Sequence, residues 1–147
     1  MALNTAIHFF SEEISFYYRG RPLTRKWINL ICKDEGKIAG DINFIFCGDL
    51  YLLALNKKHL NHDTLTDILT FPGDGSRGRV EGDIFISIDR VNENSIKFNQ
   101  NFTTELHRIM IHGVLHLMGY KDNGKLEKEI MTGKEDEGLA ILSEMEI

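Results

Sequence analysis

Between Thr103 and Leu117 the chain reads TTELHRIMIHGVLHL, which leaves a helix almost no face for water. Leu106, Ile109, Met110, Ile111, Val114, Leu115 and Leu117 spread round its circumference. A helix that is apolar all round is buried, so this one, opened by Thr103 or Thr104, must be a central helix around which the other elements are built. One polar stripe interrupts it. Stepping back from His116 by fours and threes meets His112, Arg108 and Glu105, residues that helical geometry places on a single face. Two imidazoles therefore stand together inside the protein.

The remaining segments supply the layers that bury this helix. Residues 5–10, TAIHFF, read as a first strand. From Leu23 to Glu35 the apolar positions Trp27, Ile28, Ile31 and Cys32 recur at helical spacing, with Thr24 as cap and Gly36 as terminator. Asp41–Cys47 reads as a mostly buried strand. Asp49 caps a second helix, LYLLALNKKHL, and the turn-rich NHDTLT leads into a third strand, DILTFPG, stopped by Pro72 and Gly73. The loop 73–79 precedes a fourth strand, VEGDIFISID, and Asp89 caps a helix running to about Phe98. After the central helix, Leu126 to the C-terminus is helical with interruptions near Gly133 and Gly138. The expected fold is α+β (mixed α/β), a single domain over residues 1–147 with a four-stranded mixed sheet.

Size and charge narrow the function. A chain of 147 residues buries about 68–70% of its unfolded surface, enough for a core without disulfides. Cys32 and Cys47 read as buried, reduced thiols in a cytoplasmic protein. The N-terminus has no basic leader before its short apolar patch, and no apolar run approaches the ~20 residues of a membrane helix. Net charge is −5, so a polyanion must be held by a local patch. The densest is Arg19, Arg21, Arg25 and Lys26 beside Trp27; Arg77 and Arg79 form a smaller one.

The histidine pair alone is weak, because a buried neutral histidine is satisfied by one carbonyl. The residues just beyond the pair are more telling. Gly119, past the helix end, permits a positive φ and lets the chain double back, bringing Asp122 over the face that carries His112 and His116. Two histidines and a carboxylate make a three-ligand set for zinc that leaves one position open, the catalytic rather than the structural pattern.

The run HGVLHLMGYKD resembles the HGxLHLxGYDH signature of the YbeY family of bacterial metal-dependent endoribonucleases. LNKKHLNHDTLTDILTFP, residues 55–72, is similar to that family's LNxxYRxxDxPTDVLSFP segment, and GDIFIS, residues 82–87, to its GDIxIS strand. The resemblance implies a zincin-like site with His112 and His116 as metal ligands and Asp122 at the position of the third, a histidine in the family motif. It implies cleavage of single-stranded RNA in maturation of small-subunit ribosomal RNA and in ribosome quality control. Its partners would be the small ribosomal subunit and a ribosomal protein or small GTPase. Two departures stand out. Lys121 occupies the family's aspartate position, and Leu60 occupies that of the arginine implicated in handling RNA. That work would pass to His59, His62 or the segment Arg19–Lys26.

Gly113 stands where an HExxH peptidase carries its general base, so peptide hydrolysis by that route is disfavoured. Phosphodiester cleavage needs only a metal-activated water or an attacking RNA 2′-OH. His59, His62 and Asp63, in the segment that the resemblance places beside the metal, are the candidate catalytic groups. The rival readings are a ribosome-associated RNA-binding factor with a structural metal, and a zinc metalloprotease.

Overall fold

The computed structural model describes residues 6–60 and 66–146, and the side chain of Leu60 is not among the described atoms. The element order is β1 (Ile7–Ser11), α1 (Arg21–Asp34), β2 (Ile38–Cys47), α2 (Asp49–Leu60), β3 (Ile68–Pro72), a short 3-10 turn (Ser76–Gly78), β4 (Arg79–Ser87), α3 (Ile88–Lys97), α4 (Phe102–Leu117) and α5 (Lys125–Met145). The four strands form one mixed sheet in the order β1-β2-β4-β3. β1, β2 and β4 run parallel, and β3 lies antiparallel on the edge, where Pro72 is tolerated because its missing N–H faces no partner strand.

Alternation along the strands sorts the side chains. Ile42, Phe44, Ile84 and Ile86 point to the face covered by α1 and α4 and join the main core with Trp27, Ile28 and Met110. On the other face Cys47 and Leu69 pack under Leu52 of α2. Covered on both sides, β2 reads as the nearly continuous apolar run seen in its sequence. Each aliphatic side chain fully buried on α4 contributes about 1.5–3 kcal/mol, and α4 is the central helix that its composition demands. Both cysteines are buried and unpaired, and burial pushes each thiol up to about 12.

Four caps and one helix differ from expectation, the first being Asp49, which is the opening residue of α2 itself, with the Gly48 carbonyl accepting from Leu52 N. Helix α1 starts two residues early, at Arg21, with Pro22 in its first turn; Thr24 is buried inside the helix, its hydroxyl bonded to Tyr18 Oη. Ser87, not Asp89, caps α3 by accepting from Arg90 N, while Asp89 accepts the backbone N–H of Asp49 across the top of the sheet. Asn101, not a threonine, caps α4 by accepting from Thr104 N at 2.7 Å. Helix α5 is continuous through Gly133 and Gly138. At Gly138 the reason is packing: a Cβ there would lie 3.1 Å from Ile111 Cγ1, and the Gly138 carbonyl accepts Trp27 Nε1 at 2.9 Å.

Candidate metal centre

His112 and His116 lie one turn apart on α4. Its C-terminal end is followed by Gly119 at φ +105°, the left-handed region that glycine enters without a Cβ penalty. The chain reverses there and brings Asp122 back. His112 Nε2 and His116 Nε2 are 2.9 Å apart, and Asp122 Oδ2 lies 3.4 Å from the first and 3.5 Å from the second. These three residues form a group able to hold a cation. The side chains are 19%, 23% and 37% exposed, so the centre opens to solvent on one side.

The donor set can be tested against a metal from its hydrogen bonds. His112 Nδ1 meets Glu135 Oε2 at 2.6 Å, and His116 Nδ1 meets the Tyr120 carbonyl at 3.0 Å. A carbonyl only accepts, and the Glu135 carboxylate already accepts from Arg108 on its other oxygen. The ring protons therefore reside on Nδ1, leaving both Nε2 lone pairs to converge with a carboxylate oxygen. Three acceptors face one another with no hydrogen between them, an arrangement that only a cation or an added proton relieves. Their separations of 2.9–3.5 Å approach the edges of about 3.3–3.4 Å of a tetrahedron with zinc bonds of about 2.0–2.1 Å. The residues fit a zinc-sized divalent ion. They also explain the direction of the His112 shift: burial opposes the charged form, but the bond to Glu135 and the charges of Glu135, Asp122 and Asp67 outweigh it and raise the value above the ordinary 6.5. Proton and metal compete for the same nitrogen.

Beside His112 lies a cavity of about 150 Å³ lined by Asp67, Glu105, Arg108, Ile109, His112 and Glu135. Three members of the polar stripe on α4, Glu105, Arg108 and His112, thus face one hollow. Burial raises the Asp67 carboxyl, with Asp122 and Glu135 adding to it and a backbone hydrogen bond and His112 opposing. Burial also raises Glu105, against the Arg108 charge. Asp67 and Glu135 escaped the sequence reading. Asp67 follows the threonine of TDILTFP, a segment already singled out by resemblance, whereas Glu135 sits in an ordinary acidic run and has no local signal.

The other expected groups fall elsewhere. His62 and Asp63 lie outside the described residues. His59 is exposed on the last turn of α2, its ring edge-on to Phe71 at 5.6 Å, and Phe71 points to the sheet face away from α4. In the basic segment Arg21 stacks on Tyr17 at 4.3 Å, and Arg25 donates through Nε to the Ile7 carbonyl at 2.9 Å. Arg19 lines a hollow with Leu106 and His107, and helical spacing puts His107 on the side of α4 opposite His112. That segment does not stand at the metal centre.

Gly113 has its own cause. A Cβ there would meet Ile84 Cγ2 at 2.7 Å and Ile68 Cδ1 at 3.0 Å. The position is the contact by which α4 presses onto β3 and β4, and no glutamate fits it.

The profile of the family described as Endoribonuclease YbeY matches residues 7–143. The chain belongs to the YbeY family. The Endoribonuclease YbeY of Cytophaga hutchinsonii is 47% identical over 135 residues, covering 92% of this chain and 94% of that protein. That of Flavobacterium psychrophilum is 47% identical over 133 residues, covering 90% and 94%. The solution structure of TM1509 from Thermotoga maritima is similar with a TM-score of 0.62 at 27% identity, covering 94% of this chain and 92% of that one. This YbeY-family chain therefore has the α+β fold with a zincin-like cluster that its sequence led us to expect.

Proposed function

We propose that this protein is a zinc-dependent endoribonuclease that cuts single-stranded RNA in the maturation of small-subunit ribosomal RNA, with His112, His116 and Asp122 holding the metal. The observation that carries the reading is the convergence of two imidazole Nε2 atoms, each ring engaged elsewhere through Nδ1, with a carboxylate oxygen of Asp122, in a chain of the YbeY family. Zinc bound there supplies Lewis acidity and lowers the pKa of a coordinated water toward 7. His112 and His116 orient their Nε2 lone pairs, and Asp122 supplies the oxygen. Asp67, in the hollow beside His112, is with His62 and Asp63 a group to exchange a proton with the attacking or leaving oxygen, whereas His59, packed on Phe71 at the sheet face away from α4, has no such role. Gly113 offers no carboxylate, which sets the reaction apart from peptide hydrolysis by the HExxH route. The setting is the cytoplasm and the small ribosomal subunit, with a ribosomal protein or small GTPase as partner. Among the described residues no helix is long and apolar enough to cross a membrane.

Three results test this reading. An unstructured RNA is cut and casein is left intact; casein cleavage at a comparable rate, abolished by His116→Ala, would reverse the choice of reaction. DNA of the same sequence is inert, and the RNA product carries a cyclic phosphate, where the 2′-OH is the nucleophile; a hydrolytic path leaves no cyclic phosphate. For the third ligand, Asp122→Ala releases zinc readily whereas Asp122→His, with the residue of the family motif, retains it, as followed by competition with a coloured chelator. Equal affinity in all three proteins would show that another residue completes the set.

A further inference from the structure

We propose that α5 aims both histidines, with Glu135 as the positioning residue of His112, so that zinc binding and the docking of α5 onto α4 are one coupled equilibrium. The inference rests on the reading that His112, His116 and Asp122 hold a metal. Both histidines belong to α4, yet neither Nδ1 is held by α4 itself. His112 Nδ1 bonds to Glu135 Oε2 of α5 at 2.6 Å, and Glu135 Oε1 accepts from Arg108 Nη1 at 2.8 Å. His116 Nδ1 bonds to the Tyr120 carbonyl; the Tyr120 hydroxyl donates to Glu35 at 2.6 Å, and Glu35 is held in turn by Lys134 of α5 at 3.0 Å. Adjacent residues of α5, Lys134 and Glu135, therefore reach the two imidazoles by separate routes.

Packing does not require this carboxylate. Met131, Gly138 and Leu142 seat α5 on the core, and Trp27 bonds the Gly138 carbonyl. Glu135 is only 7% exposed, and a buried carboxylate is costly unless it is paired; its partners here are Arg108 and His112, both lining the hollow beside His112. An imidazole without such a partner turns about its Cβ–Cγ bond and offers the wrong nitrogen. Outer-shell partners of this kind affect metal affinity about 10–100-fold, and a ligand that favours one arrangement stabilises it in proportion to its binding.

The test measures zinc affinity of the full chain by chelator competition, together with amide exchange in α5. Glu135→Ala binds zinc about 10–100-fold more weakly than wild type. Glu135→Gln keeps the size and one acceptor oxygen, folds, and falls between the two. Asp136→Asn removes the charge from the outer half of the Arg108 pair without touching His112 and leaves affinity unchanged. In wild type, zinc slows exchange across residues 131–142, and in Glu135→Ala it does not. Wild-type affinity in both Glu135 variants, or equal weakening by Asp136→Asn, would overturn the positioning role while leaving the metal reading intact. A wild type that binds no zinc would overturn both.

Discussion

Gly113→Glu will unfold the protein rather than turn it into a peptidase. The helix and the sheet touch at this position, with Ile84 Cγ2 2.7 Å from where a Cβ would lie. Ile84 Cγ2 is a branch-point methyl in a core side chain that is itself fully buried, so it has little room to move. Overpacking of this kind costs about 1–3 kcal/mol for a single added methyl, partly offset in Gly113→Ala by about 1 kcal/mol of helix propensity. A glutamate adds several carbon and oxygen atoms and a buried, unpartnered carboxylate, a penalty of several kcal/mol. Domains of this size have only about 5–15 kcal/mol to lose. Urea denaturation should show modest destabilisation for alanine and little folded protein for glutamate. A Gly113→Glu protein of wild-type stability that cleaved casein would contradict the packing account.

His116→Ala will remove the thermal response to zinc. Wild type with free zinc at a thousand times its dissociation constant gains about 4 kcal/mol, or about 8–16 °C for a chain of this length. Without His116 two ligand atoms remain, His112 Nε2 and Asp122 Oδ2 at 3.4 Å, and the shift should vanish. The metal-free melting point changes far less, because His116 is part-exposed and its removal opens no cavity in the core. Calorimetry with and without zinc reads both quantities. An undiminished zinc shift in the variant would mean that the ion binds elsewhere.

The features legible in the sequence came from local periodicity. The spacing of Glu105, Arg108, His112 and His116 on an apolar helix, and a glycine three residues beyond, are short-range facts. Short-range geometry carries them faithfully onto one face of α4 and brings His112 and His116 together with Asp122. Cap assignments failed where adjacent residues compete: Ser87 and Asp89, or Asn101 and Thr103, each have the right chemistry, and the approach of another element, here Asp49 to Asp89, decides which is free. The interruption expected at Gly138 failed because packing against Ile111 and the bond from Trp27 outweigh a glycine's poor propensity. Glu135 was invisible for a different reason. Its partner His112 lies twenty-three residues away, on a helix whose docking no local pattern encodes.

On the proposed reading, one metal ion, held by His112, His116 and Asp122, makes this chain a ribonuclease. Zinc titrated into metal-free protein, with single-turnover cleavage of an unstructured RNA followed at each addition, tests it directly. Cleavage should be absent at the start, rise in proportion to zinc and level off at one equivalent, and it should stay absent throughout in His116→Ala. Full cleavage by metal-free protein in excess chelator, or by His116→Ala, would contradict the account.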